Sequence, residues 1–196
     1  MWFSDLTVVL ASNSPRRKRL LESMDFTVET IKSNSTNEIY PTDLAISLIP
    51  EYLSKKKMHT LQYKKPLKNK ILLTADTMVF LNNKPLGKPQ NKDEAYCMLK
   101  NLSNKEHLVI TGCCLKSVYA EKTFSDHTFV KFSSLNDSEI LYYIEHYKPF
   151  DKAGSYGIQE WLGLTKIKAI RGSFYNVMGL PCEKLYLHLQ DLISPL

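Results

Sequence analysis

Two arginines directly after a turn are the first residues in this chain whose types and spacing suggest chemistry. They are Arg16 and Arg17, within the stretch VVLASNSPRRKRLLESM at residues 8–24. The apolar run predicts a buried strand, and Ser14 followed by Pro15 predicts the cap and first position of a helix. Cations in the first turn of a helix oppose its macrodipole by about 0.3–1 kcal/mol each. A bound anion would reverse this penalty, because free N–H groups and two guanidiniums could all face a phosphate.

The alternative for these cations is simple exposure to water. We favour exposure for Lys18 and Arg19, and an anion site for Arg16 and Arg17, which directly follow the turn. The chain contains neither the phosphate-binding loop of P-loop proteins nor a GxGxxG sequence. If phosphates bind, side chains and a helix terminus must therefore hold them.

Carboxylates and lysines elsewhere could complete a phosphate site. Asp76 follows the apolar run at residues 71–75, where we expect a strand to end, and such positions face ligand crevices in α/β sheets. Glu38, in a polar loop, could join it in binding Mg²⁺ or Mn²⁺, which take one or two carboxylates plus phosphates and water. Lys57 and Lys88 could neutralise phosphate charge. Each has a plainer alternative: Asp76 could cap a turn, and both lysines could be surface residues.

Gln159 could recognise a nucleotide base. It lies in the loop that we predict over residues 151–163. Its amide offers a hydrogen-bond donor beside an acceptor, which can match the edge of a base. A glutamine in a loop is more often solvated, so this interpretation depends on the other residues.

The segments that must position these residues alternate between strand-length apolar runs and stretches of helical spacing. This order, without internal repeats, is typical of an α/β fold with a mixed, twisted sheet flanked by helices. We predict strands at residues 7–11, 26–31, 71–75, 78–81, 84–86, 107–119, 123–132 and 164–170. We predict helices at residues 15–24, 43–59, 92–102, 137–147 and 181–192, and a hairpin turn at Asn82-Asn83.

The composition indicates one globular domain spanning residues 1–196. No apolar stretch is long enough to cross a bilayer, and the first residues lack the pattern of a signal peptide. Four cysteines show no metal-binding spacing, and we expect them to be small buried side chains without disulfides. We therefore expect a cytoplasmic protein without a membrane partner.

The net charge of +6 is localised rather than spread over the chain. Seven lysines and no acidic residue lie in the segment from Lys55 to Lys70. The rest of the chain has 19 basic and 20 acidic residues and is therefore nearly neutral. A uniformly basic surface would favour a nucleic-acid binder. We expect no stable nucleic-acid partner.

Six stretches together resemble the Maf family of nucleoside triphosphate pyrophosphatases, in order and over nearly the full length. They are LASNSPRRKRLL from Leu10, TADTMV from Thr74, LGKPQNKDEAYCMLKNLS from Leu86, HLVITG from His107, DKAGSYGIQE from Asp151 and GSFYNVMGLP from Gly172. The stretch DKAGSYGIQ resembles the subgroup acting on dTTP and UTP. The resemblance implies a two-lobed architecture with a central cleft, like that of inosine triphosphatases, and a possible homodimer.

The resemblance also implies roles for individual residues. Asp76 would be the proton acceptor or metal-linked base, and Mg²⁺ or Mn²⁺ would be held by Asp76 and Glu38. Residues implied to tune substrate choice are Arg16, Thr77 and Gln159. Residues implied to line the phosphate and metal site are Ser12, Arg17, Glu38, Lys57 and Lys88, the last three as part of the catalytic set.

The reaction implied is hydrolysis of dTTP and UTP, or of modified pyrimidine triphosphates, to the monophosphate and pyrophosphate, which would cleanse the nucleotide pool. Two alternatives remain open at this point. One is a pyrophosphatase for a modified purine nucleotide such as 7-methyl-GTP. The other is a non-catalytic regulator of cell division that binds nucleotides or DNA.

Overall fold

The computed structural model describes residues 3–33 and 39–193 of the chain. Seven strands lie within these residues: β1 Thr7–Ala11, β2 Thr27–Ile31, β3 Lys70–Leu81, β4 Lys84–Leu86, β5 Glu106–Lys116, β6 Glu121–Phe132 and β7 Ile167–Arg171. The same residues form seven α-helices: α1 Pro15–Ser23, α2 Ile49–His59, α3 Lys92–Leu102, α4 Asp137–Tyr147, α5 Trp161–Lys166, α6 Phe174–Met178 and α7 Cys182–Ile193.

The strands form one mixed sheet in the order β2-β1-β3-β5-β6-β7, with β4 paired to β3. β1 is parallel to both β2 and β3. By contrast, β4 is antiparallel to β3, and β7 is antiparallel to β6. The predicted α/β fold with a mixed sheet is confirmed.

The chain divides into two compact units. Unit 1 comprises Met1–Asp76, Thr111–Asp126 and Gly179–Leu196, and unit 2 comprises Thr77–Ile110 and His127–Met178. The arrangement of two lobes around a central cleft within a single domain stays a prediction. No helix among the described residues is long and apolar enough to cross a membrane.

The core of unit 1 is centred on β1. Val8, Val9 and Leu10 are completely buried, so this strand carries apolar side chains on both faces. Such a pattern is typical of a parallel strand with a neighbour on each side. In α1, Leu20 and Leu21 are buried, whereas the exposed Lys18 pairs with Glu22 one turn along. The helix therefore packs an apolar face against the core and exposes some of its charged side chains to solvent.

The core of unit 2 is built from two helices and the sheet. Leu99 and Leu102 of α3, Ile140 and Tyr143 of α4, and Val130 of β6 belong to one buried cluster. Both helices begin with an asparagine cap: Asn91 and Asn136 each accept a hydrogen bond from the backbone N–H three residues later. The predicted start of the helix after Asn91 is confirmed.

The predicted hairpin between β3 and β4 is confirmed. Asn82 and Asn83 have φ angles of 51° and 61°, in the left-handed region that two-residue hairpin turns require. Asparagine tolerates this region better than most residues, which explains why the pair directs the turn.

Several predicted boundaries are wrong. The strand predicted to end at residue 119 ends at Lys116, and the loop predicted over residues 151–163 contains the start of α5. The strand before Asp76 does not end there, because β3 continues to Leu81 through the apolar residues that follow. The helix predicted from residue 43 begins at Ile49, since Pro50 fits the first turn, where its missing N–H is not needed. The strand predicted over residues 164–170 begins at Ile167. Leu164 is in the preceding helix α5 and is 83% exposed, whereas Leu162 is buried.

The expectation for the cysteines is confirmed in part. All four are free. Cys113 and Cys114 are buried and Cys182 is partly buried, but Cys97 is exposed on α3.

Candidate active site

The candidate phosphate site in unit 1 begins where β1 ends beside β3. The parallel register aligns Leu10 with Leu73, so the chain leaving β1 at Ala11 runs beside the segment of β3 that leads to Asp76. Ser12 follows β1 directly, and the same register places it level with Ala75, one residue before Asp76. The pairing of two parallel strands therefore brings the Ser12 turn and the aspartate to the same level of the sheet.

Arg17 is held near the end of β1 by two hydrogen bonds. Its Nε donates to the carbonyl of Gly179 at 2.8 Å, and its Nη1 donates to Ser12 Oγ at 3.1 Å. Burial lowers the pKa of Arg17, while the charge of Asp76 opposes that shift and the neighbouring Arg16 adds to it. A guanidinium remains protonated under physiological conditions, so the site carries a fixed positive charge close to a carboxylate.

The start of α1 is where the sequence predicted it, and its role as an anion site stays a prediction. Ser14 precedes the helix with Pro15 in its first turn, yet the Ser14 side chain makes no capping hydrogen bond. The first turn contains no acidic residue. Instead the Ser14 N–H donates to Ser12 Oγ at 3.2 Å, so one hydroxyl serves both the turn and Arg17. The first turn of α1 therefore carries cations and no acid.

Asp76 forms an ion pair with Lys57. The Lys57 Nζ contacts Asp76 Oδ1, and the exposed fractions of the two side chains are 15% and 7%. Lys57 belongs to the last turn of α2, where cations also complement the helix dipole. An acidic residue inside an apolar strand is tolerated here because its charge is paired.

Helix α2 is held against β3 by polar contacts that the sequence analysis did not find. The buried Thr74 hydroxyl donates to the Ser54 carbonyl at 2.7 Å. Thr74 and Asp76 are two residues apart on the strand, so both face α2. Gly112 of β5 lets the helix start come close, because a Cβ there would lie 2.2 Å from the backbone of Pro50 and Glu51. These contacts set the position from which Lys57 reaches Asp76.

The remaining predicted site residues that the structure describes lie in unit 2. Thr77 follows Asp76 in β3 and is partly buried, Lys88 is exposed after β4, and Gln159 is partly buried. The loops that carry the last two are joined by a hydrogen bond from Gly154 N–H to the Gly87 carbonyl at 3.1 Å. Lys88 and Gln159 are thus positioned by neighbouring loops of one unit.

The loop before Gln159 has an unusual backbone. Gly154 and Ser155 both have positive φ angles, 70° and 63°. A Cβ at Gly154 would also meet the side chain of Val79 at 3.1 Å. Serine in the left-handed region stores strain of about 1–3 kcal/mol, and such strain is concentrated at functional sites.

A network of polar side chains that the sequence analysis missed surrounds Gln159. Tyr143 donates to the Glu160 carboxylate, and Lys152 Nζ lies 3.1 Å from the same carboxylate. Tyr143 also accepts a hydrogen bond from the Gly157 N–H at 2.9 Å. The only signal in the sequence was that acid, lysine and tyrosine cluster within DKAGSYGIQE. Because the contact to Tyr143 spans 17 residues, spacing could not reveal it.

The donor chemistry around Asp76 fits a divalent cation that is shared with substrate. Carboxylate oxygens suit Mg²⁺ and Mn²⁺, and these ions complete their shells with phosphate oxygens and water. Within residues 3–33 and 39–193, no group of three or more His, Cys, Asp or Glu side chains could hold a metal by itself. Glu38, the second predicted ligand, lies outside the described residues. The described part therefore fits a jointly bound ion and not a cage of protein ligands.

Comparisons with known proteins agree over almost the whole chain. The sequence profile described as Maf-like protein matches residues 7–192. A dTTP/UTP pyrophosphatase of Bacteroides thetaiotaomicron is 46% identical over 188 residues, which cover 94% of this chain and 95% of the relative. The dTTP/UTP pyrophosphatase of Flavobacterium psychrophilum is 46% identical over 187 residues, covering 95% of each chain. That of Porphyromonas gingivalis W83 is 45% identical over 185 residues, covering 94% of this chain and 93% of the relative.

Proposed function

The chain belongs to the family of Maf-like proteins, and we propose on that premise that it hydrolyses dTTP and UTP to the nucleoside monophosphate and pyrophosphate. The observation that carries the proposal is the grouping of Ser12, Arg17, Lys57 and Asp76 in unit 1. This group combines a fixed guanidinium, an ammonium and a shielded carboxylate, which are the charges that a triphosphate hydrolase needs. Relatives of nearly the same length carry the name dTTP/UTP pyrophosphatase.

In the proposed reaction, water attacks the α-phosphorus of the triphosphate. Asp76 accepts the proton of that water as the new P–O bond forms, and the bond from the α-phosphorus to the bridging oxygen breaks. Pyrophosphate leaves with the electron pair of that bond. Arg17 holds the phosphate chain, because its planar guanidinium gives paired hydrogen bonds to phosphate oxygens.

Lys57 has two tasks in this proposal. In the ligand-free chain its ammonium neutralises Asp76. When a triphosphate binds, phosphate oxygens compete for the same ammonium, so Lys57 stabilises charge on the phosphates and the Asp76 carboxylate is free to contact water.

We propose that a divalent cation, Mg²⁺ or Mn²⁺, is held by Asp76 and Glu38 together with the substrate. When bound, such an ion polarises phosphoryl oxygens and lowers the pKa of water. Arg16 and Lys88 would add positive charge for the phosphates, and Thr77 and Gln159 would contribute to the choice of nucleotide. Gln159 would do so by pairing with the edge of uracil or thymine.

The test is release of pyrophosphate across a panel of triphosphates, with Mg²⁺, with Mn²⁺ and with chelator. We expect turnover of dTTP and UTP with either metal, and loss of turnover with chelator. Faster turnover of 7-methyl-GTP than of either pyrimidine would favour a modified-purine substrate. Tight duplex DNA binding with a steep salt dependence, without pyrophosphate release, would instead favour a regulator.

We further propose that the enzyme works in the cytoplasm, where nucleoside triphosphates and reducing conditions coincide. The four free cysteines agree with a reducing compartment. A homodimer and the absence of a stable nucleic-acid partner also remain proposals. Light scattering of the purified protein tests the first of these, and the duplex titration described above tests the second.

A further inference from the structure

The carboxylate of Glu160 is held in one place by three groups of unit 2. The Tyr143 hydroxyl donates to one of its oxygens, and Lys152 Nζ lies 3.1 Å from the other. Lys152 is only 9% exposed, so this ion pair is shielded from water. The backbone of Gly157 completes the enclosure, because a Cβ there would lie 2.7 Å from the carboxyl carbon. Burial and the Glu160 charge raise the pKa of Tyr143, which keeps its hydroxyl protonated as a donor.

This fixed carboxylate determines the orientation of the neighbouring Gln159 amide. Gln159 Nε2 lies 3.5 Å from Glu160 Oε1, which is a long hydrogen bond. Rotating the amide by half a turn would place an amide oxygen against a carboxylate oxygen instead, and two acceptors repel each other. Gln159 Oε1 is shielded from solvent, and no group in the described part of the chain donates to it. Glu160 thus holds the nitrogen of the amide and leaves its oxygen as an unpaired acceptor.

The two orientations of a glutamine amide suit different pyrimidines. Uracil and thymine present a donor, N3–H, beside an acceptor, O4. Cytosine presents the reverse pair, with N3 as an acceptor beside a donor amino group. An amide whose oxygen and second N–H face the base edge matches uracil and thymine, and the same amide turned over matches cytosine equally well. Glutamine alone therefore does not discriminate between them.

We propose that Glu160 is a positioning residue that makes the site select uracil and thymine over cytosine, by holding the Gln159 amide in one of its two orientations. This inference rests on the proposed function and on Gln159 meeting the base. The free Gln159 oxygen is the acceptor for the N3–H of the base. Because that oxygen has no contact with solvent in the ligand-free chain, base binding must move the side chains that cover it. A buried acceptor without a hydrogen bond destabilises the ligand-free chain, and a base that donates to it removes this penalty.

The first test is the variant Glu160→Gln, which keeps the size of the side chain. Its amide can either accept from Gln159 Nε2 or donate to Gln159 Oε1, so both orientations of Gln159 become acceptable. We expect the ratio of kcat/KM for UTP to that for CTP to fall by about five- to 150-fold, the range of a bidentate base contact. The matched control is Asp151→Asn, which removes the other carboxylate near Lys152, at 2.8 Å, and should leave the ratio unchanged.

A double-mutant cycle separates positioning from a general structural effect. If Glu160 acts through Gln159, then Glu160→Gln has no further effect on the UTP/CTP ratio once Gln159 is replaced by alanine. An equal change of the ratio in both backgrounds would overturn the proposal. So would an unchanged ratio in Glu160→Gln with the Gln159 side chain intact.

If Glu160→Gln does not fold, the variant Tyr143→Phe provides a second test. This change removes one hydrogen bond to the Glu160 carboxylate and keeps the aromatic ring in the core, and we expect a smaller fall of the same ratio. If Glu160→Gln does not fold and Tyr143→Phe keeps the wild-type ratio, the proposal is overturned. Activity of the wild-type protein distinguishes failure of the proposed function from failure of the role of Glu160. If the wild-type protein releases no pyrophosphate from UTP or dTTP, the proposed function is refuted. A wild-type enzyme that prefers UTP to CTP, with variants that keep this preference, refutes only the role of Glu160.

Discussion

The ammonium group of Lys57, at the end of α2, contacts the carboxylate of Asp76 in the middle of β3. This ion pair joins a helix and a strand that are otherwise connected by the hydrogen bond between Thr74 and Ser54. A pair with so little exposure contributes little net stability when both partners are present. Removing one partner, however, leaves a buried charge without compensation. The pair therefore links the stability of unit 1 to the chemistry of its site.

The first prediction concerns Asp76→Asn. We expect kcat to fall by roughly 10²–10⁴-fold, because the proton acceptor is lost. We also expect the free energy of unfolding to fall by about 3–5 kcal/mol, because the Lys57 ammonium is left without its carboxylate. Pyrophosphate release and denaturant unfolding measure the two effects.

The double variant Asp76→Asn/Lys57→Met is the control for this prediction. Removing both charges should restore much of the unfolding free energy while turnover stays low. Turnover close to wild type in either variant would contradict the role of Asp76 as proton acceptor.

The second prediction concerns Arg17→Lys. Lysine keeps the charge but cannot donate to the Gly179 carbonyl and to Ser12 Oγ from one planar group. We expect KM for UTP to rise at least about tenfold, as for the loss of one charge-assisted hydrogen bond. Arg19→Lys, on an exposed position of the same helix, should keep wild-type kinetics. Equal effects of the two substitutions would show that only the charge of α1 matters.

The third prediction concerns the pH dependence of stability through His107. Burial lowers the pKa of His107 from 6.5 to about 4. Its Nε2 contacts the Tyr156 hydroxyl at 2.7 Å, and Nδ1 has no partner among the described residues. The folded state therefore binds fewer protons than the unfolded state between these values. The contribution of His107 to the free energy of unfolding is fully present above about pH 6.5. It is lost as the pH decreases to 4, by about 3 kcal/mol.

Replacing His107 with glutamine, which stays neutral, should flatten this part of the curve of unfolding free energy against pH. His127→Gln is the control, because His127 is exposed in the same unit and should leave the slope unchanged. The prediction is wrong if the His107 variant keeps the wild-type slope between pH 6.5 and 4.

The fourth prediction concerns Gly112→Ala. The added methyl group would lie 2.2 Å from backbone atoms of Pro50 and Glu51, which cannot yield as a flexible side chain could. We expect a loss of about 1–3 kcal/mol in unfolding free energy. Turnover should also decrease, because α2 carries Lys57. Gly87→Ala, where a Cβ meets nothing within 4 Å, should be close to neutral in both measurements. Unchanged turnover in a destabilised Gly112→Ala would mean that α2 moves without displacing Lys57.

Local signals in the sequence predicted much of this fold. The proline after Ser14, the asparagine before α3 and the asparagine pair between β3 and β4 each act on their immediate neighbours. Such signals can be recognised in the sequence because each residue acts on backbone only a few positions away. The sequence placed Asp76 at the end of a strand, whereas β3 continues past it, and Ser12 entered only through the family resemblance.

The features that could not be predicted depend on contacts between distant parts of the chain. The carbonyl of Gly179 receives a hydrogen bond from Arg17, 162 residues away in sequence. The place of Glu160 in a network with Tyr143 follows from packing of α4 against a loop, and no periodicity reveals it. Tertiary packing also decides the boundary at Asp76, because the ion pair with Lys57 lets the strand continue past a charge.

The division of the chain has a consequence for how the protein can be made and dissected. The polypeptide passes from one unit to the other four times, after residues 76, 110, 126 and 178, and the first three transitions fall inside β3, β5 and β6. No single cut or truncation yields either unit as a complete fragment. During synthesis unit 1 stays unfinished until its last segment, from Gly179 onward, has left the ribosome. A nascent chain that stalls earlier lacks the carbonyl that orients Arg17, so completion of the polypeptide precedes assembly of the phosphate site.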